Sequence, residues 1–295
     1  RSNNEDRTTY CYSREALLMV VADGMGGHHY GEIAAQIAVQ MLADNFQREA
    51  RPTLVDPFRF LQKGMTNAHH AILDFAERHK LSDTPRTTCV ACLVQDNVAY
   101  WAHAGDSRLF LMRGGKVVAQ TRDHSRIRIL IEEGLLSEAR AATHPDRNKI
   151  YSCLGSPTPP EIEFSRKTPL NHGDILLLCT DGLWGEIHGN AMAQALKGSN
   201  IVHTVPMLLS QAEAKGGQHV DNLSVVAVRW EETYLDEASS SISTQTMALD
   251  EIATHIEEFG RDPAHKTDLS ESEIEQAIEE IRAAIDKFNP KKQGQ

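Results

Sequence analysis

Carboxylates recur in this chain beside residues of little bulk. The pairs are Glu5-Asp6, Asp23-Gly24, Asp106-Ser107 and Asp181-Gly182, with Asp123-His124 and Asp221-Asn222 as further acid-bearing turns. Apolar stretches that read as strands precede three of them: Leu17 to Ala22, Val98 to Ala104 and Ile175 to Cys179. An acid held where a buried strand ends points into a shared pocket, and several converging acids would make a cage of oxygen donors. Hard oxygen donors suit Mg²⁺ or Mn²⁺ rather than zinc. Crowded carboxylates repel one another unless cations sit among them. Two divalent ions bridged by one carboxylate lie roughly 3.5–4 Å apart and can hold a water whose pKa falls toward neutrality. Such a site suits hydrolysis of a phosphate monoester, where positioning and charge neutralisation dominate. Arg1, close in sequence to Glu5 and Asp6, offers a planar fork for bidentate binding of that phosphate.

Strands and helices must alternate to carry these turns. Apolar residues at Ile33, Ile37, Met41 and Leu42 mark a helix over 31–46, and Leu61, Met65, Ala68, Ile72 and Phe75 mark another over 58–75. Residues 87–104 read as two strands joined at Asp96-Asn97, and 108–112 with 117–121 as a hairpin around Gly114-Gly115. Local hairpins imply antiparallel pairing. Residues 125–144 read as a polar helix, 174–180 as a buried strand, 191–196 and 205–214 as helices, and 223–230 as a last strand.

The end of the chain differs. Residues 233–248 read as a flexible linker around Ser239-Ser240-Ser241. An acidic helical tail is expected over 249–295. Leu249, Ile252, Ile256 and Phe259 share one helical face, and a second helix from Ser270 carries Ile274, Ile278, Ile281, Ile285 and Phe288. Short amphipathic helices do not bury such faces alone. The expected outcomes are docking on the chain's own domain, self-association or binding of a partner.

Net charge is −11, and residues 236–295 contribute fourteen acids against six bases. No basic stripe remains for nucleic acid. No stretch is long and apolar enough for a membrane span, and no signal peptide is read, so a cytoplasmic protein is expected. Arg1 opens the sequence inside a motif, so preceding residues are expected. Five cysteines fit reduced thiols. Cys89 and Cys92 lie three apart in a strand and so face opposite sides of it, which argues against a metal pair. His69, His70, His144 and His219 are expected at the surface or in a loop, and Asp123 and His124 are expected to start a helix.

Six segments taken together are recognisable. Arg1-Ser2-Asn3-Asn4-Glu5-Asp6-Arg7, Ala22-Asp23-Gly24-Met25-Gly26-Gly27-His28, Gly105-Asp106-Ser107-Arg108, Asp123-His124-Ser125, Thr180-Asp181-Gly182-Leu183-Trp184 and Asp221-Asn222-Leu223-Ser224 resemble, in order and spacing, the metal-dependent (PPM, type 2C) protein phosphatases, in their bacterial form. The likeness covers residues 1–232 as a catalytic domain and leaves the tail outside. It implies an α+β fold: a four-layer α-β-β-α sandwich of two packed antiparallel sheets flanked by helices. It implies two Mn²⁺ or Mg²⁺ ions, with room for a third, and attack of a metal-bridging water on phosphoserine or phosphothreonine in proteins.

Carried over residue by residue, the resemblance has Asp23 bridging the metals, with the Gly24 carbonyl on one of them. Asp181 and Asp221 would bind the other, and Glu5 and Asp6 would act through waters. Arg1 would hold the substrate phosphate, and Asp106 with Asp181 would form the third position. Arg1, Asp6, Asp23 and Asp181 are thus the expected catalytic residues. Two departures stand out. Met25 replaces a histidine that serves some members as general acid, and methionine donates no proton. Water on the third metal is the expected substitute, ahead of His28. Tyr151-Ser152-Cys153-Leu154-Gly155 differs from the usual pattern beside a flap over roughly 123–148, which bears on substrate preference. The competing expectation is a phosphatase-like binding module with vestigial catalysis.

Overall fold

Short turns join most of the strands, and every paired strand runs antiparallel to its neighbour. The computed structural model describes residues 4–25, 30–141, 144–147, 149–217, 221–231 and 253–257. Its elements begin with β1 (Arg7–Tyr12), β2 (Ala16–Ala22) and the short β3 (Gly24–Met25). Two long helices follow, α1 (Gly31–Glu49) and α2 (Pro57–Arg78), and then β4 (Arg86–Thr87), β5 (Cys89–Gln95) and β6 (Val98–Ala104). Next come β7 (Arg108–Arg113), β8 (Lys116–Gln120), α3 (Arg126–Glu132) and α4 (Glu138–Ala141). The chain continues through β9 (Glu163–Phe164), β10 (Thr168–Pro169), β11 (Ile175–Cys179), α5 (Asp181–Trp184), α6 (Gly189–Leu196), α7 (Ile201–Gly216), β12 (Val225–Arg229) and β13 (Ala253–Glu257).

The larger sheet has the order β10-β6-β5-β2-β1-β13, with β9 also on β6, and the smaller has the order β12-β11-β7-β8. Both predicted tight turns form. Asp96 and Asn97 take φ of 54° and 57°, and Gly114 and Gly115 take 59° and 83°, the positive pair a primed hairpin turn requires.

A period of two then sorts each strand between two cores. Leu18, Val20 and Ala22 of β2, with Cys89, Ala91 and Leu93 of β5, face α1 and α2. Met19, Val21, Val90, Cys92 and Val94 face Leu109, Leu111, Leu176 and Leu178 of the other sheet. Ile175, Leu177 and Cys179 face Leu183, Met192, Leu196 and Leu208 of α5, α6 and α7. The all-apolar run of β11 is thereby explained, since both its faces are covered. Each such leucine contributes about 1.5–3 kcal/mol on full burial. Cys89 and Cys92 do fall in different cores, and all five cysteines are buried and free.

Local signals hold the helices. Asp56 caps α2 by accepting the Arg59 N–H at 3.1 Å, with Pro57 in its first turn. Helix α2 approaches α1 so closely that a Cβ at Gly64 would lie 2.5 Å from Leu42 Cδ2.

Three expectations are corrected. The predicted helix over 125–144 is two short ones, α3 and α4, because the chain turns at Gly134 with φ of 71°. Strand β1 was not anticipated, its polar Arg7-Thr8-Thr9 start masking the pattern. Residues 253–257, read as part of a tail helix, form β13 and pair with β1 from Thr8↔Glu257 to Tyr12↔Ala253. An open sheet edge offers a row of backbone partners that outweighs a weak helical pattern. The linker over 233–248, residues 249–252 and the helix from Ser270 lie outside the described residues. No described helix is long and apolar enough to cross a membrane.

Candidate metal centre

Strand register decides where the acids meet. Arg7 at the start of β1 pairs with Ala22 at the end of β2, and Cys89 at the start of β5 pairs with Ala104 at the end of β6. In the smaller sheet Cys179, ending β11, pairs with Arg108 and with Val225. Asp6, Asp23, Asp106, Asp181 and Asp221 flank these termini, so all five emerge at one end of the two sheets.

Their mutual influence confirms the convergence. Burial first, then the charges of Asp6, Asp181, Asp106 and Asp221, hold the Asp23 carboxyl well above its usual range. Burial raises Asp106 likewise, with Asp181 and Asp123 adding to it and Arg108 opposing. Asp6 is pushed up to about 6, chiefly by burial; the nearby Ser224 and Thr180 hydroxyls oppose this and Asp221 adds to it. Asp6 Oδ1 is buried and makes no hydrogen bond, although buried acceptors are normally satisfied. A cage of hard oxygens carrying mutual repulsion and an orphaned carboxylate oxygen fits a divalent cation.

The surrounding loops brace these acids. Thr180, wholly buried, donates its hydroxyl to Asp6 Oδ2 at 2.9 Å and accepts the Ser224 N–H at 3.1 Å. Thr88 Oγ1 accepts the Asp23 N–H at 3.1 Å and shares a 2.7 Å hydrogen bond with Ser107 Oγ. The strand ends bearing Asp23 and Asp106 are joined in this way. Glu5 donates its N–H to Asn222 Oδ1 at 3.0 Å, and its carbonyl accepts the Gly24 N–H at 3.2 Å. Only glycine fits at 24, since a Cβ would lie 2.5 Å from the Gly31 backbone. Gly182 is similarly confined, since a Cβ there would clash with the Asn222 carbonyl oxygen.

Glu5, Asp6, Asp23, Gly24, Asp106, Asp181 and Asp221 are thus brought together, while Arg1, His28 and His219 lie outside the described residues. Asp123 lies close enough to act on Asp106 but is itself held by an arginine. Its two oxygens accept Arg108 Nε and Nη2 at 2.8 and 2.7 Å, and that guanidinium lies 3.5 Å from the Trp184 ring centroid. His69 is a correction: it is buried, and its Nδ1 accepts the Gly155 N–H at 3.1 Å. Sequence reading missed the bracing hydroxyls of Thr180, Thr88 and Ser107. For Thr180 and Ser107 the only signal was adjacency to an acid, and Thr88 carried none, because their partners are remote in the chain.

The aspartates do not close into a tight trio. Among the described residues, the group of ligand-type side chains whose donor atoms all lie within 4.8 Å of one another is His103, His124 and Glu163. A cage for two ions is wider than one for a single ion. A cavity of about 370 Å³ between β1, β2 and β12 is lined by none of the five acids.

Known proteins resemble this chain in sequence and in fold. A family model for protein phosphatase 2C matches residues 1–219. The serine/threonine phosphatase stp of Listeria innocua is 30% identical over 231 residues, covering 77% of this chain and 90% of its own. The Streptococcus agalactiae serine/threonine phosphatase superposes with a TM-score of 0.71 at 28% identity, over 79% of this chain and 95% of that one. The catalytic domain of the phosphatase PstP, solved with two manganese ions, gives 0.66 at 29% identity, over 79% and 94%. With the family model spanning every acid of the cage except Asp221, and whole catalytic chains matched nearly end to end, the chain belongs to the protein phosphatase 2C family.

Proposed function

We propose that this chain is a serine/threonine protein phosphatase, active with Mn²⁺ or Mg²⁺ and acting on phosphoproteins. The observation that carries the reading is the meeting of five aspartates at one end of two sheets, with three of them driven upward in pKa by burial and by one another. Asp23 and the Gly24 carbonyl would hold one ion and Asp181 with Asp221 the other, Asp23 bridging both. Glu5 and Asp6 would orient bound waters, Asp106 with Asp181 would offer a third position, and Arg1 would receive the substrate phosphate. Bound metal would supply the positive charge that neutralises a phosphate and acidifies a water.

The residues themselves do the positioning. The Thr180 hydroxyl fixes the orientation of the Asp6 carboxylate, and the Thr88–Ser107 pair keeps Asp23 and Asp106 in step. Residues 1–232 would form the catalytic unit. Pairing of β13 with β1 supports a tail that docks on its own domain. Five free, buried thiols support a cytoplasmic location.

Hydrolysis of p-nitrophenyl phosphate and of a phosphothreonine peptide with Mn²⁺ tests the reading. EDTA should abolish both activities. Asp181→Asn should lower both by a hundredfold or more, beyond the roughly 10–100-fold typical of outer-sphere partners. Activity that survives EDTA, or is confined to a small metabolite, would overturn it.

A further inference from the structure

Strands β6 and β9 bring together donors of a different chemical kind from the carboxylate cage. His103 on β6 pairs with Glu163 on β9 across the larger sheet. The His103 ring stacks on His124 with centroids 4.6 Å apart and planes at 28°. One donor atom from each of the three residues lies within 4.8 Å of the other two. We propose that His103, His124 and Glu163 form a site for a single borderline divalent cation, zinc in the first instance, separate from the Mn²⁺ or Mg²⁺ cage.

Proton positions identify which atom of His103 is free to ligate. His103 Nε2 lies 2.6 Å from the Arg122 carbonyl oxygen, which can only accept, so Nε2 carries the hydrogen. The lone pair of His103 then sits on Nδ1, which is buried and makes no hydrogen bond. His124 Nε2 is also buried without a hydrogen bond and faces Glu163 Oε2 at 3.5 Å. An unpartnered buried lone pair on His103 Nδ1, beside a second imidazole that already faces a carboxylate, is unusual, because buried polar atoms are normally satisfied. Burial lowers the pKa of both rings, favouring the neutral form that ligates metal. The two imidazoles are buried, but the Glu163 side chain is 42% exposed, which gives an ion an entry path and leaves room for a water as fourth ligand. Two imidazoles and one carboxylate are a donor set that zinc accepts and that Mg²⁺ does not favour.

Occupancy would carry a consequence for the neighbouring cage. The Gly105 N–H points at His124 Nδ1 at 3.3 Å, and the Gly105 carbonyl accepts the His124 N–H at 3.0 Å. With Nδ1 accepting, neutral His124 holds its proton on Nε2, toward Glu163. Ligation through Nε2 moves that proton to Nδ1, where it meets the Gly105 N–H donor to donor. The ion and the hydrogen bond from the Gly105 N–H to His124 Nδ1 therefore exclude each other, and Gly105 immediately precedes Asp106.

Crystals of the full chain grown with Mn²⁺ and soaked in Zn²⁺, measured on both sides of the zinc absorption edge, test the site. A zinc peak is expected between the three side chains, apart from any signal at Asp23 and Asp181. In solution, Co²⁺ should give a visible absorption band that persists in Asp181→Asn and disappears in His103→Gln and in Glu163→Gln. Zinc should also shift the Gly105 amide resonance in the unmodified protein. Absence of an anomalous peak at the trio would overturn the proposal. So would a Co²⁺ band that survives Glu163→Gln, a variant altered at a partly exposed position and so not at risk of misfolding. Loss of the band in Asp181→Asn alone would assign it to the cage and would equally overturn the trio. None of these readouts depends on phosphatase activity.

Discussion

A single buried hydroxyl, that of Thr180, serves two strand ends by donating to Asp6 and accepting from Ser224. Thr180→Val keeps the volume and strands both partners, a loss of about 1–3 kcal/mol for a buried unsatisfied group. Urea unfolding of the metal-free variant should show that loss, and calorimetric titration should show weaker Mn²⁺ binding because Asp6 is no longer oriented. Unchanged stability and affinity would remove Thr180 from the site. Asp6 also gives the metal-free protein a distinctive pH response. Its pKa rises from an ordinary 3.8 to about 6 on folding, so between those values the folded state holds a proton that the unfolded state has lost. Stability from this group is full below about pH 4 and falls as pH rises toward 6. Thermal midpoints in EDTA should therefore fall relative to Asp6→Asn across that window; parallel curves would contradict the assignment. Asp23, Asp106 and Asp181 were readable from sequence because each sits beside a small residue at a strand end. Thr180, Thr88 and His103 were not, because burial and partners as far as 174 residues away give them their roles.

Elements were legible where their determinants are local. Asp96-Asn97 and Gly114-Gly115 specify their own hairpins, and α2 announces itself through Asp56, Pro57 and a regular apolar stripe. Elements set by long-range context were not. Residues 253–257 follow a helical spacing yet become a strand, because β1 would otherwise leave an edge open. The Thr9 hydroxyl donates to the His255 carbonyl at 2.9 Å, Gln47 Nε2 reaches Thr254 Oγ1 at 2.6 Å, and Tyr10 packs on the His255 ring at 5.1 Å. Removing residues 232–295 should consequently speed hydrogen exchange of β1 amides by about tenfold or more, a change of about 1.4 kcal/mol in local opening, while β5 at the sheet centre stays protected. Equal protection of β1 in both forms would mean that β13 contributes nothing to that edge.

At the scale of the whole molecule, two sheets packed face to face send their acid-bearing ends to one place, where the proposed cation cage would join them. Asp6 and Asp23 border the larger sheet, Asp181 and Asp221 the smaller, and Asp106 lies on the crossing between them. The same packing that assembles the cage works against the metal-free fold, since the Asp23 carboxyl is opposed by burial and by four neighbouring acids. Bound cations would reverse that balance, because a ligand bound only by the folded state stabilises it, by about 2.7 kcal/mol at a hundredfold excess over its dissociation constant. Asp23→Asn should therefore cross over with the natural chain. In EDTA the variant should be the more stable of the two, relieved of one buried charge. In Mn²⁺ the natural chain should gain a higher urea midpoint with an unchanged slope, and the variant should gain little. Two parallel shifts, or a variant weaker under both conditions, would show that Asp23 is not held in place by metal.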